Sequence, residues 1–263
     1  MTLIEHTLWG TRDKVQVAID RLRSFEPPEG YYLAFSGGKD SITVHRLAEL
    51  ADVRFDAHYN VTTVDPPELT AFIRANYPGV EWHRPEMSMF RLIVHKRWPP
   101  MRQKRYCCER LKEHGGTGRR AVTGIRWEES YQRSTRRMVE SCHADKTKVY
   151  INPILDWTEG DVWEFIRAEG LAYCSLYDEG FDRLGCILCP METNPDAIQR
   201  HIERWPQFAD AYVHTFDRVI ALRKAEGRRC TFDTGRALFD WWIDRRPRPQ
   251  QEQDERLFEM EAV

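Results

Sequence analysis

The chain has 263 residues, 41% of them hydrophobic and 30% charged, with 39 basic residues against 41 acidic ones. That composition belongs to a soluble globular protein and excludes a disordered or collagen-like chain. No uncharged apolar run approaches the roughly 18–20 residues that cross a bilayer, so no membrane partner is expected. The near-neutral total predicts no nucleic-acid partner by itself, although a local basic face remains compatible with it.

In chain order, apolar residues at 15, 17–19, 22 and 25 predict an amphipathic helix over 13–25, which Pro27-Pro28-Glu29-Gly30 stops. Residues 31–35 are a compact apolar run that reads as a buried strand. A glycine-rich turn, Ser36-Gly37-Gly38-Lys39-Asp40-Ser41, follows it, and helical spacing resumes over 42–50. A second strand is predicted over 54–64, a helix opening at Pro66-Pro67 and running to Ala75, and a short strand over 80–83. Further strands are expected at 121–125 and 149–153, and Thr158-Glu159-Gly160-Asp161 reads as a capped helix start. Alternating strands and helices imply an α/β fold, a parallel sheet flanked by helices. From about Glu192 strand signals fade; helices are predicted over 196–205, 207–227 and 235–244, with a loose, proline-bearing tail over 245–256. The expected layout is an α/β core over 1–190 and a mostly helical extension over 191–263, without internal repeats.

In an open parallel sheet, ligands bind at the carboxyl ends of the strands. Gly37 and Gly38 let the backbone turn sharply there, and the following helix start offers backbone N–H groups to an anion. Ser36 and Ser41 add hydroxyls and Lys39 a cation. The spacing matches neither the Walker P-loop nor Gly-x-Gly-x-x-Gly. The hexapeptide after a strand resembles the PP-loop of the adenine-nucleotide alpha-hydrolase superfamily, the ATP pyrophosphatases. The resemblance implies a Rossmann-like core in which Ser36, Gly37, Gly38, Lys39, Asp40 and Ser41 hold the pyrophosphate end of ATP. It further implies that Asp40 assists Mg²⁺ placement and that Lys39, Asp40 and Ser41 serve catalysis.

Thr123-Gly124-Ile125-Arg126-Trp127-Glu128-Glu129-Ser130 resembles an element of the sulfonucleotide-reductase branch, in which Gly124 lets the backbone pass close to the nucleotide and Arg126 offers a forked cation to phosphate. By position in such a fold, Thr62 and Val64 would border the adenine.

Seven cysteines include an adjacent pair, Cys107-Cys108, and Cys186-x-x-Cys189. In a chain expected to be intracellular, two such pairs point to a metal centre before disulfides. Adjacent cysteines suit one tetrahedral zinc ion poorly, whereas a cubane offers separate irons, so a Cys₄ iron–sulfur cluster stands ahead of zinc and of four buried thiols. The set resembles that of adenylylsulfate reductases, which implies that Cys107, Cys108, Cys186 and Cys189 hold a [4Fe-4S] cluster.

Sulfonucleotide reductases carry a nucleophilic cysteine in a Glu-Cys-Gly-x-His context, whereas the last cysteine here, Cys230, stands in Arg228-Arg229-Cys230-Thr231-Phe232. The resemblance therefore points to the reductase-like component of DNA phosphorothioation systems, of the Dnd and Ssp types. There ATP would adenylate a backbone phosphate before sulfur attacks. This implies DNA, a cysteine desulfurase and the other components of the modification complex as partners, in the cytoplasm. Alternatives are a sulfonucleotide reductase, a tRNA sulfurtransferase and a non-catalytic ATP-binding subunit. DNA would need a basic groove, and between Arg91 and Lys148 there are 16 Lys and Arg against 6 Asp and Glu. The densest groups are Lys96-Arg97, Arg102 to Arg105, Arg119-Arg120 and Arg133 to Arg137.

Overall fold

The computed structural model describes residues 2–7, 10–113, 115–142 and 145–244. The tail expected over 245–256 lies outside the described residues. The chain divides into two compact units, the first made of Met1–Ser88 with Tyr106–Cys186 and the second of Met89–Arg105 with the chain from Ile187 onward. Residues 89–105, expected from the sequence to belong to the α/β core, thus fold with the helical extension, and the second boundary falls at 186/187.

The first unit opens with a hairpin that the sequence pattern does not announce, β1 (Ile4–Thr7) and β2 (Gly10–Asp13), paired antiparallel. Asp13 ends it and caps α1 (Lys14–Ser24), its side chain accepting from the Val15 N–H at 3.0 Å. Then follow β3 (Tyr31–Ala34), α2 (Lys39–Leu50), β4 (Phe55–Asn60), α3 (Pro67–Asn76) and β5 (Glu81–His83). Pro67 occupies the first turn of α3, where a missing N–H costs nothing.

Between this stretch and the rest of the sheet the chain makes α4 (Met89–Lys96), which belongs to the second unit, and α5 (Tyr106–Leu111). The sheet resumes with β6 (Arg120–Val122), followed by the single turn α6 (Tyr131–Ser134), β7 (Val139–Ser141) and β8 (Val149–Ile151). Helix α7 (Glu159–Ala168) carries the expected capping box, with the Thr158 hydroxyl accepting from the Asp161 N–H and the Asp161 carboxylate from the Thr158 N–H.

Strand order is β5-β4-β3-β6-β8-β7, parallel throughout except for β7, an antiparallel edge strand on β8. The sheet is therefore mixed and mostly parallel. Tyr31, Leu33, Val122 and Ile151 along its centre are fully buried, as strands covered on both faces require. Succession runs outward from β3 to β4 and β5 on one side, then restarts at β6 on the other. That reversal puts a crevice at the carboxyl ends of β3 and β6.

The second unit is helical among its described residues: α4, α8 (Pro195–Arg204), α9 (Pro206–Ala225) and α10 (Gly235–Ile243). Phe90 of α4 meets Tyr212 of α9 edge-on with ring centres 5.1 Å apart, and the Trp242 indole donates to the Pro100 carbonyl at 2.8 Å. These contacts explain why 89–105 leave the sheet: Phe90, Trp98 and Pro100 find their apolar partners on α9 and α10. No helix among the described residues is long and apolar enough to cross a membrane.

Candidate nucleotide-binding site

Two of the sequence-predicted segments meet at the strand-order reversal. The hexapeptide leaves the end of β3, and Lys39, Asp40 and Ser41 form the first turn of α2. Gly37 has φ +73°, and a Cβ there would lie 2.6 Å from Ile73 Cγ1 of α3, so both its conformation and its surroundings demand glycine. Beyond the end of β6, a Cβ on Gly124 would come within 2.9 Å of the Asp40 carbonyl carbon and oxygen. Gly124 is thus the residue that lets the second segment pack against the backbone of the first.

Within the loop, the Ser41 hydroxyl donates to the Gly38 carbonyl at 2.9 Å and lies 3.2 Å from the Ser36 hydroxyl. Ser36 is exposed, whereas Lys39 and Ser41 are each only 5% exposed. The Lys39 ammonium donates to the Asp182 carbonyl at 2.6 Å and lies 3.3 Å from a Glu159 carboxylate oxygen. The Tyr177 hydroxyl accepts from the Lys39 backbone N–H at 2.8 Å, filling with its own oxygen one of the donors that a helix start turns toward an anion. Burial pushes the Tyr177 phenol well above its usual range against the opposing pull of that N–H, so it is a neutral hydroxyl.

Tyr177, Glu159 and the Asp182 carbonyl are the parts of the site that sequence reasoning missed. Tyr177 lies 138 positions from Lys39, and no local pattern marks it. Glu159 sits in the capping-box stretch, which was legible as a helix start but not as a neighbour of the loop.

Arg126 is buried, at 3% exposure, and does not present an open fork. Its Nε donates to Asp40 Oδ1 at 2.6 Å and its Nη1 to Glu128 at 3.0 Å, while its backbone N–H donates to Glu129 at 2.9 Å. Arg133 pairs in turn with Glu129. Burial works against the Arg126 charge, but Asp40, Glu129 and Glu128 outweigh it and hold the guanidinium above its ordinary range. Burial likewise raises the Asp40 carboxyl, and Arg126 and Lys39 only partly offset this. Asp40 and Glu128 thus share the Arg126 guanidinium, while Glu129 takes its backbone N–H and pairs with Arg133. Burial thus leaves the Asp40 charge under-compensated, and a further cation beside it would relieve this.

Thr62 and Val64 are fully buried. The Thr62 hydroxyl donates to Asp65 at 2.7 Å and its N–H to the other Asp65 oxygen at 2.7 Å, so this side chain shapes the turn after β4 and is not turned outward to a ligand. Thr63 between them has φ +67°.

Cys107 and Cys108 occupy the first turn of α5, Cys107 buried and Cys108 half-buried. Neighbours on a helix project about 100° apart, a spread that one small ion accommodates poorly. Cys186, 8% exposed, closes the first unit, and Cys189 belongs to the second. Burial, with Asp65 and Cys186 adding to it, pushes the Tyr59 phenol far above its ordinary range.

Part of the basic excess is engaged internally. Arg119 pairs with Asp56, Arg120 donates to the Phe25 carbonyl at 2.7 Å, and Lys148 donates to the Gly115 carbonyl at 2.7 Å. Arg136 pairs with Glu140 and Arg97 with Glu226. Arg102, Lys104 and Arg105 are exposed in the second unit, and Arg110 and Arg137 in the first.

A glycine-bearing turn between the central strand and its helix, at the reversal of strand order, defines a nucleotide-binding α/β protein. Residues 30–192 match the model of the phosphoadenosine phosphosulfate reductase domain, and the chain belongs to that family. It is 29% identical over 187 residues to the adenosine 5'-phosphosulfate reductase of Oceanobacillus iheyensis, covering 66% of this chain and 75% of that one. It is also 28% identical over 194 residues to the protein MJ0973 of Methanocaldococcus jannaschii, covering 70% of this chain but only 47% of that relative's length. Against a crystal structure of phosphoadenylyl-sulfate reductase from Candida auris, a phosphate complex, the TM-score is 0.49 at 15% identity, over 64% of this chain and 87% of that one.

Proposed function

We propose that the first unit binds an adenine nucleotide with its anionic tail against residues 36–41, and that the chain uses it for sulfur transfer with AMP as leaving group. The observation that carries this reading is the packing of Gly124 on the Asp40 backbone, which brings both family segments together at the strand-order reversal. Family membership and the reductase relatives favour a sulfonucleotide of the adenosine 5'-phosphosulfate class as substrate.

In this reading the start of α2 supplies backbone donors and Lys39 the mobile cation, which exchanges the Asp182 carbonyl and Glu159 for the tail. The Tyr177 hydroxyl gives up the Lys39 N–H to an oxygen of the tail. Arg126 is a positioning residue that fixes the Asp40 carboxylate from behind. A Mg²⁺ ion fits the under-compensated carboxylate of Asp40, and would neutralise tail charge when bound. Cys107, Cys108, Cys186 and Cys189 offer the thiolate chemistry of a [4Fe-4S] ligand set, which would supply a redox-active, electron-rich centre.

A second reading is favoured by one observation, the context of Cys230, which lacks the Glu-Cys-Gly-x-His surroundings of the reductase nucleophile. In it the chain is an ATP pyrophosphatase that adenylates a DNA backbone phosphate for sulfur insertion, with a cysteine desulfurase as donor. A product assay separates the two. Sulfite from adenosine 5'-phosphosulfate with a dithiol reductant supports the first; DNA-stimulated release of pyrophosphate from ATP supports the second. Absence of binding to either nucleotide by calorimetry, in protein purified without oxygen, overturns both.

A further inference from the structure

A second cluster lies on the β4–β5 edge of the sheet, among residues that take no part in the loop. Strands β4 and β5 run parallel with His58 opposite Glu81 and Asn60 opposite His83. Alternate residues of a strand share a face, so Glu81 and His83 project together. His58 Nδ1 lies 2.8 Å from His83 Nε2 and 3.4 Å from Glu81 Oε2, and the three ligand atoms lie within 4.8 Å of one another. Neighbouring ligands of a tetrahedral zinc ion with bonds near 2.0–2.1 Å stand roughly 3.3 Å apart, which the Glu81 spacing matches, while the 2.8 Å between the ring nitrogens is a hydrogen bond that a metal would replace.

The surroundings orient the pivotal ring. His58 is buried, stacked on Tyr32 with ring centres 4.0 Å apart and planes 5° from parallel. Its Nε2 faces Asp56, and Asp56 is held from the other side by both Arg119 terminal nitrogens, at 2.6 and 2.5 Å. A carboxylate on one imidazole nitrogen fixes the proton there and leaves the lone pair on the other, the arrangement by which proteins prepare a histidine for a metal. Here that other nitrogen is Nδ1, aimed between His83 and Glu81. The Glu81 side chain is 62% exposed, so the fourth coordination position opens to solvent.

We propose that His58 Nδ1, His83 Nε2 and the Glu81 carboxylate form a site for a divalent cation of the zinc class, with Asp56 and Arg119 as its orienting pair. Two imidazoles and a carboxylate suit zinc or cobalt better than magnesium or calcium, which prefer oxygen alone. The site ties the edge strand β5 to β4 and stands whether or not the nucleotide reading does.

The test uses the full chain, stripped with a chelator and titrated with Co²⁺ or Zn²⁺. The cysteines are a second possible sink, so X-ray absorption reports the ligands: nitrogen and oxygen near 2.0–2.1 Å for this site, sulfur near 2.3 Å for the thiols. Expected is one equivalent of metal with nitrogen and oxygen ligands. Its affinity should fall by more than tenfold in His83→Gln and about 10–100-fold in Asp56→Asn. Excess zinc should raise the melting temperature of the parent chain but not of His83→Gln. Since Asp56→Asn also loosens Arg119 and can unfold the edge, His83→Gln on half-buried His83 is the deciding variant. Metal bound through sulfur only, or affinity unchanged in His83→Gln, overturns the proposal.

Discussion

Two aspartate–arginine pairs in the first unit use the same chemistry to opposite ends. Asp156 receives Arg21 in two bonds of 2.7 and 3.0 Å and Arg12 in a third of 2.9 Å, so two guanidinium groups surround one carboxylate. Burial opposes its charge, but Arg21 and Arg12 outweigh burial and hold the carboxyl below its ordinary range. Asp40 receives one bond from Arg126, which Glu128 shares, and burial leaves its carboxyl above the ordinary range. One pair is a satisfied clamp joining the opening hairpin and α1 to the 152–157 turn. In the other, burial outweighs Arg126 and Lys39 and leaves the carboxyl raised, the kind of perturbation that makes Asp40 a candidate for function.

The clamp is the place to look for the largest effect. Asp156→Ala removes the carboxylate that Arg12 and Arg21 share, leaving Arg12 with Glu5 and Arg21 with the Pro153 carbonyl, and should cost roughly 3 kcal/mol. That is the low end for breaking a buried pair, because Arg12 is 38% exposed and can turn to water. Chemical denaturation measures it, and nucleotide affinity measured on the folded fraction should stay within about twofold. A stability loss under about 1 kcal/mol would mean that the clamp and the Asp40 pair do not differ in kind.

Gly124→Ala comes next. Its Cβ would meet Asp40 backbone atoms at 2.9 Å and cannot be relieved by turning a side chain, so an overpacking cost of about 1–3 kcal/mol is expected. Unlike the Asp156 change, it should also weaken nucleotide binding at least tenfold by calorimetry, since the first turn of α2 must move. Lys39→Ala should lower nucleotide affinity by about 10–100-fold, the worth of one charge-assisted bond, with little loss of stability.

Much of this was legible beforehand, and unevenly. The strand, turn and helix around residues 31–50 were readable because apolar run, glycine pair and helical spacing follow one another without a gap, and Thr158 announced its helix through the capping box. The hairpin over 4–13 was not, since four-residue strands of mixed polarity carry no alternation long enough to recognise. Helix α4 was not among the expected elements, and only its partners on α9 place it in the second unit. The loop residues were identifiable by their string, but the role of Arg126 was not: an arginine after Gly-x suggests an open fork, and only the fold reveals Asp40 and Glu128 already on it. Tyr177 and the His58, Glu81 and His83 group are products of tertiary juxtaposition.

Acid sensitivity sharpens the contrast. Asp156 and Asp161 both have carboxyls held below the ordinary 3.8, in each case against burial, through Arg21 and Arg12 for the first and Lys14 and Thr158 for the second. The unfolded chain then binds more protons than the folded one, so their contribution is complete above about pH 5 and is lost as pH falls through the depressed values. Asp40 has the opposite sign, because the folded state holds its proton more tightly and gains stability as pH falls. Stability measured between pH 6 and about 2 should therefore drop, less steeply in Asp156→Asn and more steeply in Asp40→Asn.

Asp40→Asn carries the smallest expected change in stability at neutral pH and is the sharpest test of the comparison. The amide oxygen can still accept from Arg126 Nε, and the buried charge that burial disfavours is gone. The change should therefore lie within about 1 kcal/mol of the parent, in either direction. Function should respond in the other sense. If Asp40 is the group whose charge awaits a cation arriving with the nucleotide, the variant should keep its fold and lose Mg²⁺-dependent turnover by about 100-fold or more, while metal-free nucleotide binding changes far less. A variant that instead lost several kcal/mol and kept its turnover would make Asp40 a second clamp like Asp156, and the strand-order reversal would hold a structural ion pair where the present reading places chemistry.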